Sequence, residues 1–149
     1  QIQLAAPMHD IGKIGIPDNV LLKKGKLNES EWALMKKHAE FGYDILKGSK
    51  SSILKNAGII ALAHHEKWDG SGYPSGLKGD AIHLYGRITA IADVFDALTM
   101  SRPYKEAWTI NDAVNLINEE SGKHFDPSIV KVFKQVLDKL LVVREKFSD

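Results

Sequence analysis

Two adjacent histidines, His64 and His65, end an apolar helical run that begins near Ile53. Apolar helices rarely carry neighbouring imidazoles, because each ring nitrogen needs a hydrogen-bond partner once it is buried. A metal ion supplies such a partner. A glycine-rich turn carrying Tyr73 follows at once, so a flexible backbone and an aromatic ring lie beside that ion. This stretch predicts the floor and the rim of a metal-dependent active site.

The composition limits the kind of site and the kind of protein. The chain has 149 residues, 44% of them hydrophobic and 26% charged, which fits one globular domain with its own core. It has no cysteine, so any metal must be held by His, Asp or Glu, and a cytoplasmic setting is favoured. A net charge of +1 does not favour a nucleic acid polymer as partner, and no apolar run is long enough to insert into a membrane.

Helical patterns account for most of the chain, and no strand pattern is present. Capping signals precede several apolar stripes at helical spacing. The predicted caps are Asn28 with Glu31, Thr109 with Asp112, and Asp126. The predicted helices cover about residues 1–10, 28–47, 51–65, 85–100, 109–121 and 126–147, with a long loop at about 68–83. The predicted fold class is therefore all-α, a single-domain bundle of about five to seven helices.

Four further residues carry ligand chemistry: His9 beside Asp10, His38 on the inward stripe of its helix, and Asp93 in an almost wholly apolar helix. A buried, unpaired carboxylate such as Asp93 would be costly unless it binds a metal or a cation. Imidazole and carboxylate ligands suit iron, manganese, zinc or nickel. One aspartate can bridge two ions, and such a pair clamps both oxygens of a phosphoester displacement. The alternative at each position is a structural hydrogen bond, a core histidine or a cap.

Five ordered motifs resemble one known family. They are His9-Asp10 with the residues up to Asp18, His64-His65-Glu66, Gly72-Tyr73-Pro74, the stretch 92–99 around Asp93, and Arg102-Pro103-Tyr104-Lys105. The first resembles the signature of the HD superfamily of metal-dependent phosphohydrolases, and the others match its HD-GYP branch. The resemblance covers nearly the whole chain in order and spacing, so we expect residues 1–149 to be one HD-GYP domain.

The resemblance implies an enzyme of bacterial signalling that hydrolyses cyclic di-GMP to pGpG and, in some members, to GMP. It implies two divalent transition metals, iron or manganese first, with nickel, zinc or cobalt as alternatives, and a hydroxide nucleophile that they activate. The implied metal ligands are His9, Asp10, His38, His64, His65 and Asp93, with Asp10 bridging.

The remaining motif residues are implied to act on the substrate. Lys13 would contact the scissile phosphate and, with Asp10, form the catalytic set. Tyr73 would stack on a base, and Arg102 and Lys105 would hold phosphate or a guanine edge. Gly72 and Pro74 complete the implied substrate-binding set. Packing for Tyr73 and solvated charge for the three cations are the alternatives.

The family pattern also places a metal-binding His, and in many members a Glu, upstream of His9. We therefore expect further helices, and a sensor or receiver domain, in a longer polypeptide. Two other functions stay open. One is a sensor of cyclic di-GMP, or a module that pairs with a diguanylate cyclase (GGDEF) domain through Gly72-Tyr73-Pro74. The other is an HD hydrolase of another cyclic nucleotide or dinucleotide. The resemblance also allows a homodimer.

Overall fold

The computed structural model describes residues 1–101 and 106–147, which form helices joined by turns and one long loop. The α-helices are α1 (Ile2–Ala5), α2 (Asp18–Leu21), α3 (Glu29–Lys36), α4 (His38–Leu46), α5 (Ser52–Ala63), α6 (Leu84–Thr99), α7 (Ile110–Glu119) and α8 (Pro127–Phe147). Short 3-10 helices cover Ala6–Met8, Ile11–Gly15 and Gly79–Ala81. These residues contain no strand, so the all-α prediction is confirmed. None of their helices combines the length and the apolar character that a bilayer crossing requires.

The predicted caps at the starts of α3 and α7 are present. The Asn28 side chain accepts a hydrogen bond from the Glu31 N–H at 2.9 Å, and the Glu31 carboxylate accepts one from the Asn28 N–H at 2.8 Å. Thr109 Oγ1 accepts from the Asp112 N–H at 3.1 Å. These local bonds satisfy first-turn amides and set where each helix begins.

Two predicted helices are interrupted, and each interruption precedes a candidate ligand. The predicted helix 28–47 is divided at Lys37 into α3 and α4, which makes His38 the first residue of α4. The predicted helix 1–10 ends early, because Pro7 has no N–H to donate and the backbone tightens into the 3-10 helix Ala6–Met8. His9 follows directly after that turn.

Small residues let the ligand-bearing segments approach closely. A Cβ atom on Gly12 would collide with the backbone of α4. A Cβ on Gly42 would lie 2.8 Å from the Cβ of Ala61 on α5, and one on Gly86 would lie 2.6 Å from the Cβ of Ala63. The turn at residues 11–15 therefore packs directly on α4, α4 on α5, and α5 on α6.

Two buried apolar clusters stabilise the fold. One includes Phe95 on α6, Ile117 on α7 and Phe133 on α8. The other includes Leu46 on α4 and Ile60 on α5. Since α5 and α6 pack against each other, they join the two clusters and give the ligand-bearing helix ends a rigid base.

Arg87 joins the long loop to the start of α8. Its Nη1 lies 2.7 Å from Asp126 Oδ2 and 2.9 Å from Asp80 Oδ1, and its guanidinium lies 5.6 Å from the centre of the Trp68 ring. Asp126 is buried, and it also accepts a hydrogen bond from the Ser128 N–H at 2.8 Å, as its predicted capping role requires. Burial alone would raise the pKa of Asp126, but the hydrogen bonds from Ser128 and Arg87 outweigh it and lower the pKa.

We expect Asp126→Asn to lower the free energy of unfolding by about 2 kcal/mol at neutral pH, because Arg87 loses its buried anion while the cap is kept. A carboxyl whose pKa is lowered in the folded state stabilises the protein above its unfolded pKa. That stabilisation disappears as the pH falls through the folded pKa. The difference between wild type and variant in urea unfolding should therefore narrow below about pH 4.

Asp80→Asn is the matched control for this prediction. The Asp80 carboxylate contacts the same guanidinium, but its side chain is 89% exposed. Solvent screening makes such a contact weak, so we expect little change in stability. Equal losses in the two variants would mean that the buried ion pair is not the source of the effect.

Candidate metal centre

Four of the predicted ligands form one compact group. Asp10, His38, His64 and His65 each offer a ligand atom, and these atoms all lie within 4.8 Å of one another. Asp10 comes from the turn after the 3-10 helix Ala6–Met8, His38 begins α4, and the two adjacent histidines follow the end of α5. His38 and His64 are almost fully buried.

The Asp10 carboxylate faces two different sets of ligands. Its Oδ1 lies 3.4 Å from His38 Nε2 and 3.9 Å from His64 Nε2. Its Oδ2 lies 3.4 Å from His9 Nε2, which in turn lies 3.6 Å from Asp93 Oδ1. The structure thus brings all six predicted ligands into one connected cluster, with Asp10 between its two halves.

Backbone carbonyls fix the orientation of three imidazoles. Nδ1 of His9, His38 and His64 each lies 2.8–2.9 Å from the carbonyl oxygen of the residue three positions earlier. A carbonyl oxygen only accepts, so Nδ1 carries the hydrogen in each ring. The lone pair of the neutral ring is therefore on Nε2, the nitrogen that points at Asp10. Such outer hydrogen bonds commonly orient metal-binding histidines.

Burial keeps the inner histidines neutral. It lowers the pKa of His38, and together with the nearby His9 charge it lowers the pKa of His64 to about 4. Burial and the neighbouring His64 lower the pKa of His65 to about 3. At neutral pH these rings are uncharged, which is the form that binds a metal.

The charges of the cluster lie on His9, Asp10 and Asp93. Hydrogen bonds to Asp10 and Asp93 raise the pKa of His9 to about 10. Burial opposes ionisation of Asp10, but hydrogen bonds from His9 and Lys13 hold its pKa well below the usual range. The carboxylates of Asp10 and Asp93 thus favour a proton on His9 Nε2. A divalent cation can replace that proton and bind the same three side chains.

The types of ligand atom in the cluster, and one buried oxygen without a hydrogen bond, fit a metal centre. Asp10 Oδ1 is buried and accepts no hydrogen bond from the residues that the structure describes. A buried carboxylate oxygen without a partner is costly, and a cation between it and the neighbouring Nε2 atoms would remove that cost. Nitrogen and carboxylate ligands without thiolates suit first-row divalent ions.

The loop after α5 places Tyr73 over this cluster. The Tyr73 ring stacks on His65, with ring centres 4.7 Å apart and planes 27° apart. Glu66 is 2% exposed, and its carboxylate accepts hydrogen bonds from the N–H groups of Ser75 at 2.8 Å and Leu77 at 3.0 Å. Gly72 lies against the backbone of residues 66 and 67 so closely that any Cβ would collide. Hydrogen bonds and close backbone packing therefore hold the loop beside the candidate ligands.

The other predicted site residues are placed as follows. Lys13 Nζ lies 2.6 Å from Asp10 Oδ2, and the Lys13 side chain is 41% exposed, so its ammonium is at the cluster and open to solvent. Pro74 belongs to the loop held by Glu66. Arg102 and Lys105 lie outside the described residues, and their predicted roles stay predictions.

Glu66 and Arg87 have no role of their own in the sequence prediction, and Trp32 is predicted to pack or to lie at the surface, although the structure places each near the loop. An acid directly after a buried histidine pair was a usable signal for Glu66, since a buried carboxylate needs donors. His83, which has no predicted role, caps α6 through its side chain, which accepts a hydrogen bond from the Tyr85 N–H at 3.1 Å.

The helical fold and the His/Asp cluster define a class: helical proteins with a candidate metal site of nitrogen and oxygen ligands. The chain belongs to the HD domain family: the family model, described as HD domain, matches residues 1–129. The resemblance seen in the sequence motifs is thus confirmed.

Curated relatives include phosphodiesterases for two cyclic dinucleotides. The chain is 55% identical to the cyclic di-GMP phosphodiesterase response regulator RpfG of Xanthomonas campestris pv. campestris, over 87% of this chain and 34% of that protein. It is 48% identical to a cyclic di-GMP phosphodiesterase of Thermotoga maritima, over 100% of this chain and 41% of that protein. It is 48% identical to 3'3'-cGAMP-specific phosphodiesterase 2 of Vibrio cholerae, over 99% of this chain and 28% of that protein. The chain spans less than half the length of each.

A solved structure shares the fold. It is the crystal structure of a cyclic GMP-AMP-specific phosphodiesterase of V. cholerae, with a TM-score of 0.64. The likeness covers 88% of this chain and 36% of that chain at 24% sequence identity, and it therefore concerns the fold alone.

Proposed function

We propose that this domain is a metal-dependent phosphodiesterase that hydrolyses cyclic di-GMP to pGpG, with GMP as a further product. The observation that supports this most is the placement of Asp10, whose two carboxylate oxygens face different sets of imidazoles. That geometry suits two divalent ions, and the family resemblance implies iron or manganese first. When bound, such ions make hydroxide available near neutral pH and offset charge on a phosphoryl oxygen.

Different residues of the chain are proposed to have different roles in the hydrolysis. Ring opening forms a bond from the water oxygen to phosphorus and breaks the bond from phosphorus to the 3' oxygen, which leaves with a proton. Lys13, whose Nζ lies 2.6 Å from Asp10 Oδ2, would offset charge that develops on the phosphate. Tyr73 and its loop close one side of the site over His65. Arg102 and Lys105 remain the predicted holders of the rest of the dinucleotide.

A second substrate, 3'3'-cGAMP, is supported by the 48% identity to a V. cholerae enzyme named for that substrate. Both dinucleotides present the same phosphodiester and differ in one purine. Metal ions held by the His/Asp cluster would act on the phosphodiester, which both dinucleotides share, so the cluster would be compatible with either substrate. Any preference must come from residues that contact the bases.

The test is turnover of both dinucleotides by protein loaded anaerobically with Fe(II) or Mn(II), with products separated by chromatography and metal counted in the same sample. We expect pGpG from cyclic di-GMP with two ions bound per chain. Protein that holds two ions and hydrolyses neither dinucleotide would contradict the proposal. Tight binding of cyclic di-GMP without product would favour the sensor.

Pairing with a diguanylate cyclase domain through Gly72-Tyr73-Pro74, homodimer formation and an attached sensor or receiver domain also stay predictions. The loop that carries the three residues is held internally by Glu66, which leaves its outer surface as the part that a partner can contact.

A further inference from the structure

An exposed tryptophan lies at the rim of the metal centre. Trp32, on α3, is 47% exposed, and its ring centre lies 6.2 Å from that of Tyr73 in an edge-on arrangement of 81°. Tyr73 itself stacks on His65, one of the clustered ligands. The three rings thus run outward from the metal cluster, and the outermost has the most open surface.

Tyr73 offers little free face for a base. One face of its ring packs on His65, and Lys36 Nζ lies over the ring at 5.8 Å from its centre. Trp32 and Lys36 are four residues apart on α3 and so lie on one side of that helix. A half-exposed indole and an ammonium therefore lie on one side of α3, next to the Tyr73 ring that stacks on His65.

We propose that Trp32 and Lys36 form a purine-binding subsite at the rim of the metal centre, with Tyr73 as its inner wall. One base of the cyclic dinucleotide stacks on the indole of Trp32, and Lys36 donates to an acceptor on the same nucleotide. The inference rests on the proposed function, because the cluster must hold the phosphodiester while the base reaches α3.

This subsite should bind any purine base but not discriminate between adenine and guanine. Stacking on an indole is tolerant of base identity, because every purine has a π-face. The subsite therefore contributes to binding of cyclic di-GMP and of 3'3'-cGAMP by the same factor. It does not contribute to the binding of a small phosphodiester that has no base.

The experiment compares Trp32→Ala and Trp32→Phe with wild type on three substrates: cyclic di-GMP, 3'3'-cGAMP and methyl p-nitrophenyl phosphate. We expect Trp32→Ala to lower kcat/KM for whichever dinucleotides the wild type hydrolyses by roughly 10- to 100-fold, mainly through KM, and equally where both are substrates. Trp32→Phe keeps a ring and should recover most of the loss. Hydrolysis of the small diester and the metal content should not change in either variant.

Lysine variants test the second part of the subsite. Lys36→Gln should raise KM for the dinucleotides several-fold, while Lys37→Gln, at an exposed neighbouring position, should leave it unchanged. Equal effects of the two substitutions would contradict a specific role for Lys36.

A binding measurement separates failure of this inference from failure of the proposed function. Equilibrium dialysis with a phosphorothioate analogue of cyclic di-GMP measures affinity without turnover. If the wild type hydrolyses no dinucleotide but binds the analogue, and Trp32→Ala weakens that binding, the substrate proposal fails and the subsite stands. Unchanged affinity and turnover in Trp32→Ala would overturn the subsite. An equal loss on the small diester would also overturn it, because that result indicates a structural role.

Discussion

Asp10→Asn should lower kcat/KM for cyclic di-GMP by roughly 10³-fold or more and reduce the amount of bound metal. Asparagine has nearly the same volume as aspartate, so packing is preserved. Its amide nitrogen cannot be a metal ligand, so asparagine offers one ligand oxygen instead of two. That oxygen can face only one of the two sets of imidazoles around Asp10. The measurements are steady-state kinetics on the dinucleotide and a metal count per chain.

The matched control is Asp44→Asn, because Asp44 is an exposed aspartate on α4 whose carboxylate lies 2.7 Å from Lys47 Nζ. We expect wild-type turnover and metal content in that variant. If Asp10→Asn kept wild-type activity, Asp10 would not bridge two ions and the proposed mechanism would be wrong.

Glu66→Gln should lower the free energy of unfolding by about 3 kcal/mol. The buried Glu66 carboxylate accepts from two backbone N–H groups, one with each oxygen. Glutamine has one carbonyl oxygen, so its NH2 group would face one of these donors and leave it unsatisfied in the interior. Since the same loop carries Tyr73, we also expect a lower kcat/KM for the dinucleotide with the metals still bound.

Urea unfolding and metal analysis of Glu66→Gln beside Glu40→Gln test this expectation. Glu40 is exposed on α4, so the same chemical change there should have little effect. Similar stability of the two variants would show that the Glu66 carboxylate does not fix the loop.

Most of the helices, and the residues that cluster at the candidate metal centre, could be predicted because their signals are local. A cap and its amide are a few residues apart, and paired histidines at the end of an apolar helix are visible without a fold. The division of the chain at Lys37 could not be predicted, because apolar spacing continues on both sides of it. That break is what makes His38 the first residue of a new helix.

Contacts between distant segments could not be predicted either, because their partners are far apart in the sequence. Glu66 finds its donors nine and eleven residues later, and Arg87 meets Asp126 across 39 positions. No periodicity or composition encodes which loop amide or which carboxylate such a side chain will meet. The position of Trp32 beside Tyr73 likewise depends on how α3 packs against the loop.

The carbonyl groups that hold His9, His38 and His64 have a consequence for metal supply. Because each ring is oriented by the turn that precedes it, the orientation is set when the helices fold and does not depend on which ion arrives. Exchange of one bound divalent ion for another would therefore alter the bonds to Nε2 and to the carboxylates and would leave the helices in place. The ion that occupies the site in a cell should accordingly follow the pool of available metal, and activity should follow the growth medium.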